Sequence, residues 1–257
     1  MKGYGKWGFY VCLYVGLLFS LVSCSGDDDS AINTDLLVAF VSDDAEGPGS
    51  VQRYNGTTGA PLGTFASGGR LDGPVGLAFG PDGNLYVSNS FTNDVRRYNG
   101  TTGAFLGIFV SAGLDLPTGI VFGPDGNLYV SSFNTSVVQR YNGRTGALMG
   151  TFAADGLAGP EQLAFGPDGN LYVASFNTNS VQRFNGTTGA LLSDFVTAGA
   201  GGLNGPTGLA FGQDGNLYLC SNASAEVLRY NGTTGAFMDI VVAAGSQRFP
   251  AFLTFVP

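Results

Sequence analysis

Residues 77–104 read LAFGPDGNLYVSNSFTNDVRRYNGTTGA, and this stretch decides the fold. Short apolar runs in it are separated by two turns. In Gly80-Pro81-Asp82-Gly83, proline presets φ for the first central residue of a turn, aspartate accepts the second, and glycine takes the left-handed position. Asp82 is thus a hairpin residue rather than a catalytic carboxylate. Asn99-Gly100-Thr101-Thr102-Gly103 turns the chain again. The reading places strands A, B, C and D of one unit at 77–79, 84–88, 95–98 and 104–110. Valine, isoleucine, phenylalanine and tyrosine dominate them, as a pleated surface packed on both sides requires. No run has the spacing of an amphipathic helix.

The unit recurs along the chain. Its turn aspartate returns as Asp125, Asp168 and Asp214, at spacings of 43, 43 and 46 residues. Arg-Tyr-Asn-Gly begins at Arg53, Arg97, Arg140, Arg183 (with Phe184 in place of tyrosine) and Arg229. A period of about 40–50 residues made only of strands marks the four-stranded blades of a β-propeller, not a helical solenoid. The first unit lacks a strand A: 36–41, 50–54 and 61–65 read as B, C and D. The tail supplies what is missing, because 249–256, FPAFLTFV, matches GPTGLAF at 205–211. The expectation is an all-β, five-bladed propeller over 36–257, latched by pairing of the C-terminal strand with the N-terminal ones. Such closure removes sheet edges that invite aggregation.

GPxGLAFGPDGNLYVS followed by VxRYNG resembles the NHL-type repeat, within the wider group of gluconolactonase-like and streptogramin-lyase-like propellers. NHL rings more commonly have six blades, so five is a departure. The resemblance is specific for fold and weak for activity, since binders, lyases and hydrolases share this scaffold.

The first 23 residues read as a leader, with Lys2 and Lys6 ahead of an apolar run from Trp7 to Val22. Leu21-Val22-Ser23-Cys24 resembles the bacterial lipoprotein box, which implies cleavage before Cys24 and its lipidation. More than one acyl chain gives stable anchoring. The expected location is the bacterial envelope, held to the outer membrane on its periplasmic or outer side. Residues 24–35 form an acidic tether, with Asp27, Asp28 and Asp29 read as solvated linker. From Cys24 onward nine arginines face nineteen acids, a net charge of −10, so no basic groove for nucleic acid can be assembled. Cys220 is the remaining cysteine, which excludes a disulfide within the fold and makes it a packing residue. The chain has no histidine. That excludes Ser-His-Asp chemistry, histidine-bound zinc and the histidine base on which the streptogramin lyases depend.

Alternating turns sort the loops onto two faces. The A–B and C–D turns are nearly identical between units; the B–C and D–A loops vary, and variation on a repeated scaffold is where function sits. On the variable face fall Arg70, Asp72 and Arg248, and also Phe91, Phe133 and Phe176, which recur after serine in the B–C loops. These phenylalanines either pack between blades or form an apolar ring for a protein, peptide or glycan ligand. Glu161 stands where other units have Val75, Thr118, Thr207 and Ala251, at the mouth of the central channel. With Asp115, Asp155 and Asn177 it makes a candidate oxygen site for Ca²⁺ or Mg²⁺; the lactonase-like resemblance implies a divalent ion at that place. The favoured expectation is a monomeric, envelope-anchored binding or scaffold protein without catalysis. The alternative is a divalent-metal hydrolase or lyase centred on Glu161.

Overall fold

The structure is a computed structural model that describes the backbone of residues 14–17 and, with side chains, residues 36–41, 48–55 and 58–244. Among the described residues, twenty strands form five antiparallel sheets of four. The first holds β1 (Tyr14–Leu17), β2 (Leu36–Phe40), β3 (Ser50–Tyr54) and β4 (Pro61–Ala66). The second holds β5 (Pro74–Phe79), β6 (Leu85–Asn89), β7 (Asp94–Tyr98) and β8 (Phe105–Val110). The third holds β9 (Pro117–Phe122), β10 (Leu128–Ser132), β11 (Val137–Tyr141) and β12 (Leu148–Ala153). The fourth holds β13 (Pro160–Phe165), β14 (Leu171–Ser175), β15 (Ser180–Phe184) and β16 (Leu191–Val196). The fifth holds β17 (Pro206–Phe211), β18 (Leu217–Ser221), β19 (Glu226–Tyr230) and β20 (Phe237–Val242).

This is the five-bladed, all-β propeller that the repeat predicts. The innermost strands pack side by side, β5 on β9, β9 on β13 and β13 on β17. Strand A is longer than expected, because it starts at the proline and carries a register shift before its leucine, as between Pro74 and Leu77. Gly83 and Gly103 take the left-handed conformations their turns need, at φ 73° and 69°. The Asn99 carboxamide accepts from the N–H groups of Thr101 and Thr102, so that side chain rather than a second glycine closes the turn.

One aromatic unit is repeated at the three contacts that link the second sheet to the fifth, while Leu37 takes the tyrosine's place in the first sheet. Tyr86 sits edge-on between Phe109 of its own sheet and Phe122 of the next, with ring centroids 4.8 and 4.9 Å away. Tyr129 does the same between Phe152 and Phe165, and Tyr172 between Phe195 and Phe211. Such pairs add about 0.5–1.5 kcal/mol each beyond the area they bury. The tyrosine hydroxyl donates to the turn aspartate, 3.0 Å from Tyr86 to Asp82. Arg97, Arg140 and Arg183 lie over Phe109, Phe152 and Phe195. Burial by itself pushes the Asp82 carboxyl up; hydrogen bonds from Asn84 and Tyr86, with Arg97 nearby, outweigh it and hold the group below its usual range. The invariant turn therefore serves the fold.

The expected latch is not what occupies the first sheet. The tail 249–256 lies outside the described residues, and the inner edge of β2 is paired instead with Tyr14–Leu17, inside the stretch read as leader. Close packing runs from the first sheet to the fifth, and none of comparable extent returns from the fifth to the first among the described residues.

Candidate functional site

The B–C and D–A loops do lie together on one face, tied by Phe91 N–H to the Asp72 carbonyl and Phe133 N–H to that of Leu116. All six non-glycine residues with left-handed backbone among the described residues are here: Arg70, Asn93, Leu116, Ser136, Asn179 and Ala225. Each such conformation costs roughly 1–2 kcal/mol relative to glycine. Three return that cost through inter-sheet bonds, since Asn93 accepts from Leu116 N–H, Ser136 from Gly159 and Asn179 from Gly205.

The three phenylalanines split. Phe133 covers Gly159 of the following sheet and Phe176 covers Gly205, where a Cβ on the glycine would meet each ring at 2.8 and 2.9 Å. These two are packing residues. Phe91 is not their equivalent, because counting from the start of strand B places Ser90 opposite Phe133 and Phe91 opposite Asn134 and Asn177. It lies over Gly73 of its own sheet and is 53% exposed. At the same contact Leu116 replaces the glycine, at φ 54°, so the second and third sheets meet through a small–large pair, Ser90 and Leu116, where later contacts use Phe and Gly.

Strand C of the second sheet carries an ion-paired network where, among the described residues, the fourth sheet has a neutral one, Gln182 donating to Ser180 at 2.8 Å. Arg96 is bonded to Asp94 through Nε at 2.9 Å and through a second nitrogen at 2.9 Å, with side chains only 6% and 8% exposed. The same guanidinium donates to the Arg70 carbonyl. Thr92 donates to Asp94 at 2.8 Å, and Asp72 N–H donates to the Asn89 carboxamide at 2.5 Å. Arg70 and Phe91 thus stand exposed, with Asp72 half-buried between them, on a fixed base. Sequence reading named Arg70, Asp72 and Phe91 but missed Asp94 and Arg96. The signal was available, since the other sheets carry Ser50, Val137, Ser180 and Glu226, and Gln52, Gln139, Gln182 and Leu228, at these positions.

The metal site is not assembled. Among the described residues no three histidine, cysteine, aspartate or glutamate side chains gather to share an ion. Asp115 and Asp155 are exposed in loops, with Asp115 accepting from Asn134 at 3.0 Å, and neither joins Glu161. The residues present therefore do not fit the divalent ion that the lactonase-like resemblance implies. Glu161 lies partly buried on β13, the innermost strand of the fourth sheet, where desolvation pushes its carboxyl up to about 8. Beside it Gln162 replaces Gly76, Gly119 and Gly208, and its Oε1 is buried without a hydrogen-bond partner. Ser131 Oγ is buried the same way, although its counterpart Ser88 donates to the Thr118 carbonyl at 2.6 Å.

A groove of 760 Å³ also opens on the opposite, repeated face, between the second and third sheets. Arg97, Arg144, Asp82 and Asp125 line it, and Arg144 stands where the other turns carry threonine. The two aspartates are already engaged by their own turns. Cys220 is buried on β18, as expected, with its thiol pushed up to about 12 by that burial. Arg248 and Cys24 lie outside the described residues.

Comparison with known proteins supports the architecture. Residues 149–177 match the model for the N-terminal region of strictosidine synthase-like proteins. No curated protein matches the chain. Among solved structures, a chain from a nidogen/laminin complex is similar at 20% identity and a TM-score of 0.69, over 86% of this chain and 80% of that one. Virginiamycin B lyase of Staphylococcus aureus is similar at 16% identity and a TM-score of 0.64, over 86% of this chain and 71% of that one. Identities this low establish the propeller fold and nothing about activity.

Proposed function

We propose that this protein is an envelope-tethered binding or scaffold protein, held by lipid on Cys24, that takes a protein, peptide or glycan partner on its B–C/D–A face. The observation that carries the reading is Phe91: an aromatic ring more than half exposed, flanked by Arg70 and Asp72 and mounted on the buried Asp94–Arg96 pair. Exposed aromatics on rigid supports are the usual anchors of recognition, since little side-chain entropy is lost when they are covered. Left-handed backbone at non-glycine residues, which among the described residues falls only on this face, is consistent with the same use. Without histidine there is no imidazole base to activate a serine or cysteine nucleophile, which supports a binding role over triad chemistry. No helix of the described residues is long and apolar enough to cross a membrane.

The test is photo-cross-linking in intact cells, with a photoreactive analogue at position 91 and a control at position 187 on the turn face. A discrete adduct from 91 that is absent from 187 and is lost in Arg70→Ala supports the assignment; equal labelling from both positions refutes it. Calcium and EDTA should each leave the melting temperature unchanged. A shift abolished by Glu161→Ala would instead favour a metal-dependent hydrolase or lyase.

A further inference from the structure

The groove on the repeated face is set apart by one residue. Its lining comes from the Pro-Asp-Gly turns of the second and third sheets, from the turn at 142–145 and from Arg97 of β7. Every other C–D turn carries threonine where this one has Arg144, as Thr57, Thr101, Thr187 and Thr233. The backbone of the turn is unchanged. Arg144 N–H donates to the Asn142 carboxamide at 3.0 Å, and Thr101, Thr187 and Thr233 donate to Asn99, Asn185 and Asn231 at the same distance. Only the side chain is new, and it is exposed.

The acceptors of this groove are largely taken, whereas its strongest donors are not. Asp82 accepts from the N–H and the carboxamide of Asn84 at 3.1 and 2.7 Å and from the Tyr86 hydroxyl at 3.0 Å. Asp125 accepts the same three bonds from Asn127 and Tyr129, at 3.0, 2.7 and 2.9 Å. A carboxylate offers about four accepting positions, so each aspartate keeps about one. The Asn142 carboxamide oxygen already accepts from the N–H groups of Arg144 and Thr145 and from the Thr145 hydroxyl. The Arg144 guanidinium, by contrast, makes no hydrogen bond, ion pair or ring contact among the described residues. Arg97 is pinned over Phe109, its guanidinium carbon 5.7 Å from the ring centroid, with Nε buried and unbonded. Its counterparts Arg183 and Arg229 approach Asp168 and Asp214 to 4.0 and 3.8 Å, but among the described residues no ion pair of that length joins Arg97 to Asp82.

The chemistry left unused is thus two guanidiniums and about one accepting position on each of two carboxylates. An arginine fork matches a carboxylate with two parallel bonds, and such charge-assisted bonds are the strong ones. A single accepting position beside it suits a hydroxyl. Two positive and two negative charges line the groove, so a compact dianion such as phosphate meets more repulsion there than one carboxylate does. At 760 Å³ the groove has the size of a small-ligand site, about 300–1,000 Å³, and Pro81 is the only apolar side chain lining it. We propose that this groove is a second binding site whose ligand is an acidic saccharide, with a uronate carboxylate held by Arg144 and Arg97 and hydroxyls donating to Asp82 and Asp125. The site lies opposite the Phe91 face and makes no use of it, so either assignment can fail alone.

Calorimetric titration of the full chain with trimers of galacturonate, glucuronate and mannuronate tests this, beside their methyl esters, a triaspartate peptide and inorganic phosphate. At least one uronate trimer should bind. Its affinity should fall about tenfold or more on esterification and by a similar factor in Arg144→Thr, since a hydrogen bond to a charged group carries that much. Arg144→Thr copies the other turns and should keep the wild-type melting temperature, which separates lost binding from lost fold. Arg144→Lys, a second variant that keeps the charge without the fork, should bind more weakly than wild type and more tightly than Arg144→Thr. No binding by any of the three trimers, equal affinity for the esters, or binding indifferent to Arg144→Thr would overturn the proposal. So would triaspartate or phosphate binding as tightly as the best uronate, which would mark a site for acidic peptides or for anions in general.

Discussion

Replacing Leu116 by glycine and Ser90 by phenylalanine should convert the contact between the second and third sheets into the form used at the two later ones, with an energetic signature larger than either change alone. Ser90→Phe by itself forces a ring against Leu116, where even a Cβ on the equivalent Gly159 would come within 2.8 Å of Phe133. Overpacking of this kind costs about 1–3 kcal/mol. The bond from Ser90 Oγ to the Pro117 carbonyl, 2.6 Å long, is lost as well, at about 1 kcal/mol. Leu116→Gly by itself relieves roughly 1–2 kcal/mol of left-handed strain. It returns about 0.4–1 kcal/mol through the freer unfolded chain and gives up the partly buried leucine, so its net effect should be small. In the double variant the ring enters the space above glycine, as Phe133 and Phe176 do, and the steric part of the Ser90→Phe penalty disappears. The coupling between the two sites should be about 2 kcal/mol in favour of the pair, measured as a double-mutant cycle from urea unfolding followed by circular dichroism. Additivity within about 0.5 kcal/mol would show that position 90 does not face position 116, and the register assigned to Phe91 would fall with it.

Three further outcomes follow from single sites. Glu161 keeps its proton up to about 8 in the fold and loses it near 4.5 when unfolded, so the native state binds more protons between these values and stability falls as pH rises through them; Glu161→Gln should flatten that fall and be more stable at pH 8.5 by on the order of a few kcal/mol, whereas unchanged pH dependence would place the carboxylate in free contact with water. Asp94→Asn should cost about 3 kcal/mol by leaving the buried Arg96 charge short of a partner, while the pair Asp94→Ser with Arg96→Gln, copying the fourth sheet, should cost much less in the same chemical-denaturation assay; equal losses would mean that the ion pair is not the source. Cys220 should resist a thiol reagent at pH 8 in the native protein and react at once in denaturant, since burial holds its thiol near 12; rapid native labelling would show β18 to be open.

What the sequence could reveal depended on repetition. The Pro-Asp-Gly and Asn-Gly-Thr-Thr-Gly turns specify backbone conformations directly, so strand order and the two faces were legible from residues 77–104 alone. Side chains that merely fill a shared space were harder to read. Phe91 follows a serine just as Phe133 and Phe176 do, and only counting from the start of the strand shows that it is one place further along and points elsewhere. Asp94 and Arg96 were visible as departures and, two apart on one strand, share a face; that the pair is buried and bonded to the Arg70 carbonyl depends on the loop packed against it, which spacing does not announce. The candidate metal site is not assembled for the opposite reason: sharing a face does not bring Glu161 and Asp115 together when one lies on strand β13 and the other on an exposed loop. The first sheet was ambiguous in principle. An innermost strand is defined by an apolar run, and two segments of this chain offer one: 249–256, which carries the proline and phenylalanine of the repeat, and Tyr14–Leu17, which pairs with β2.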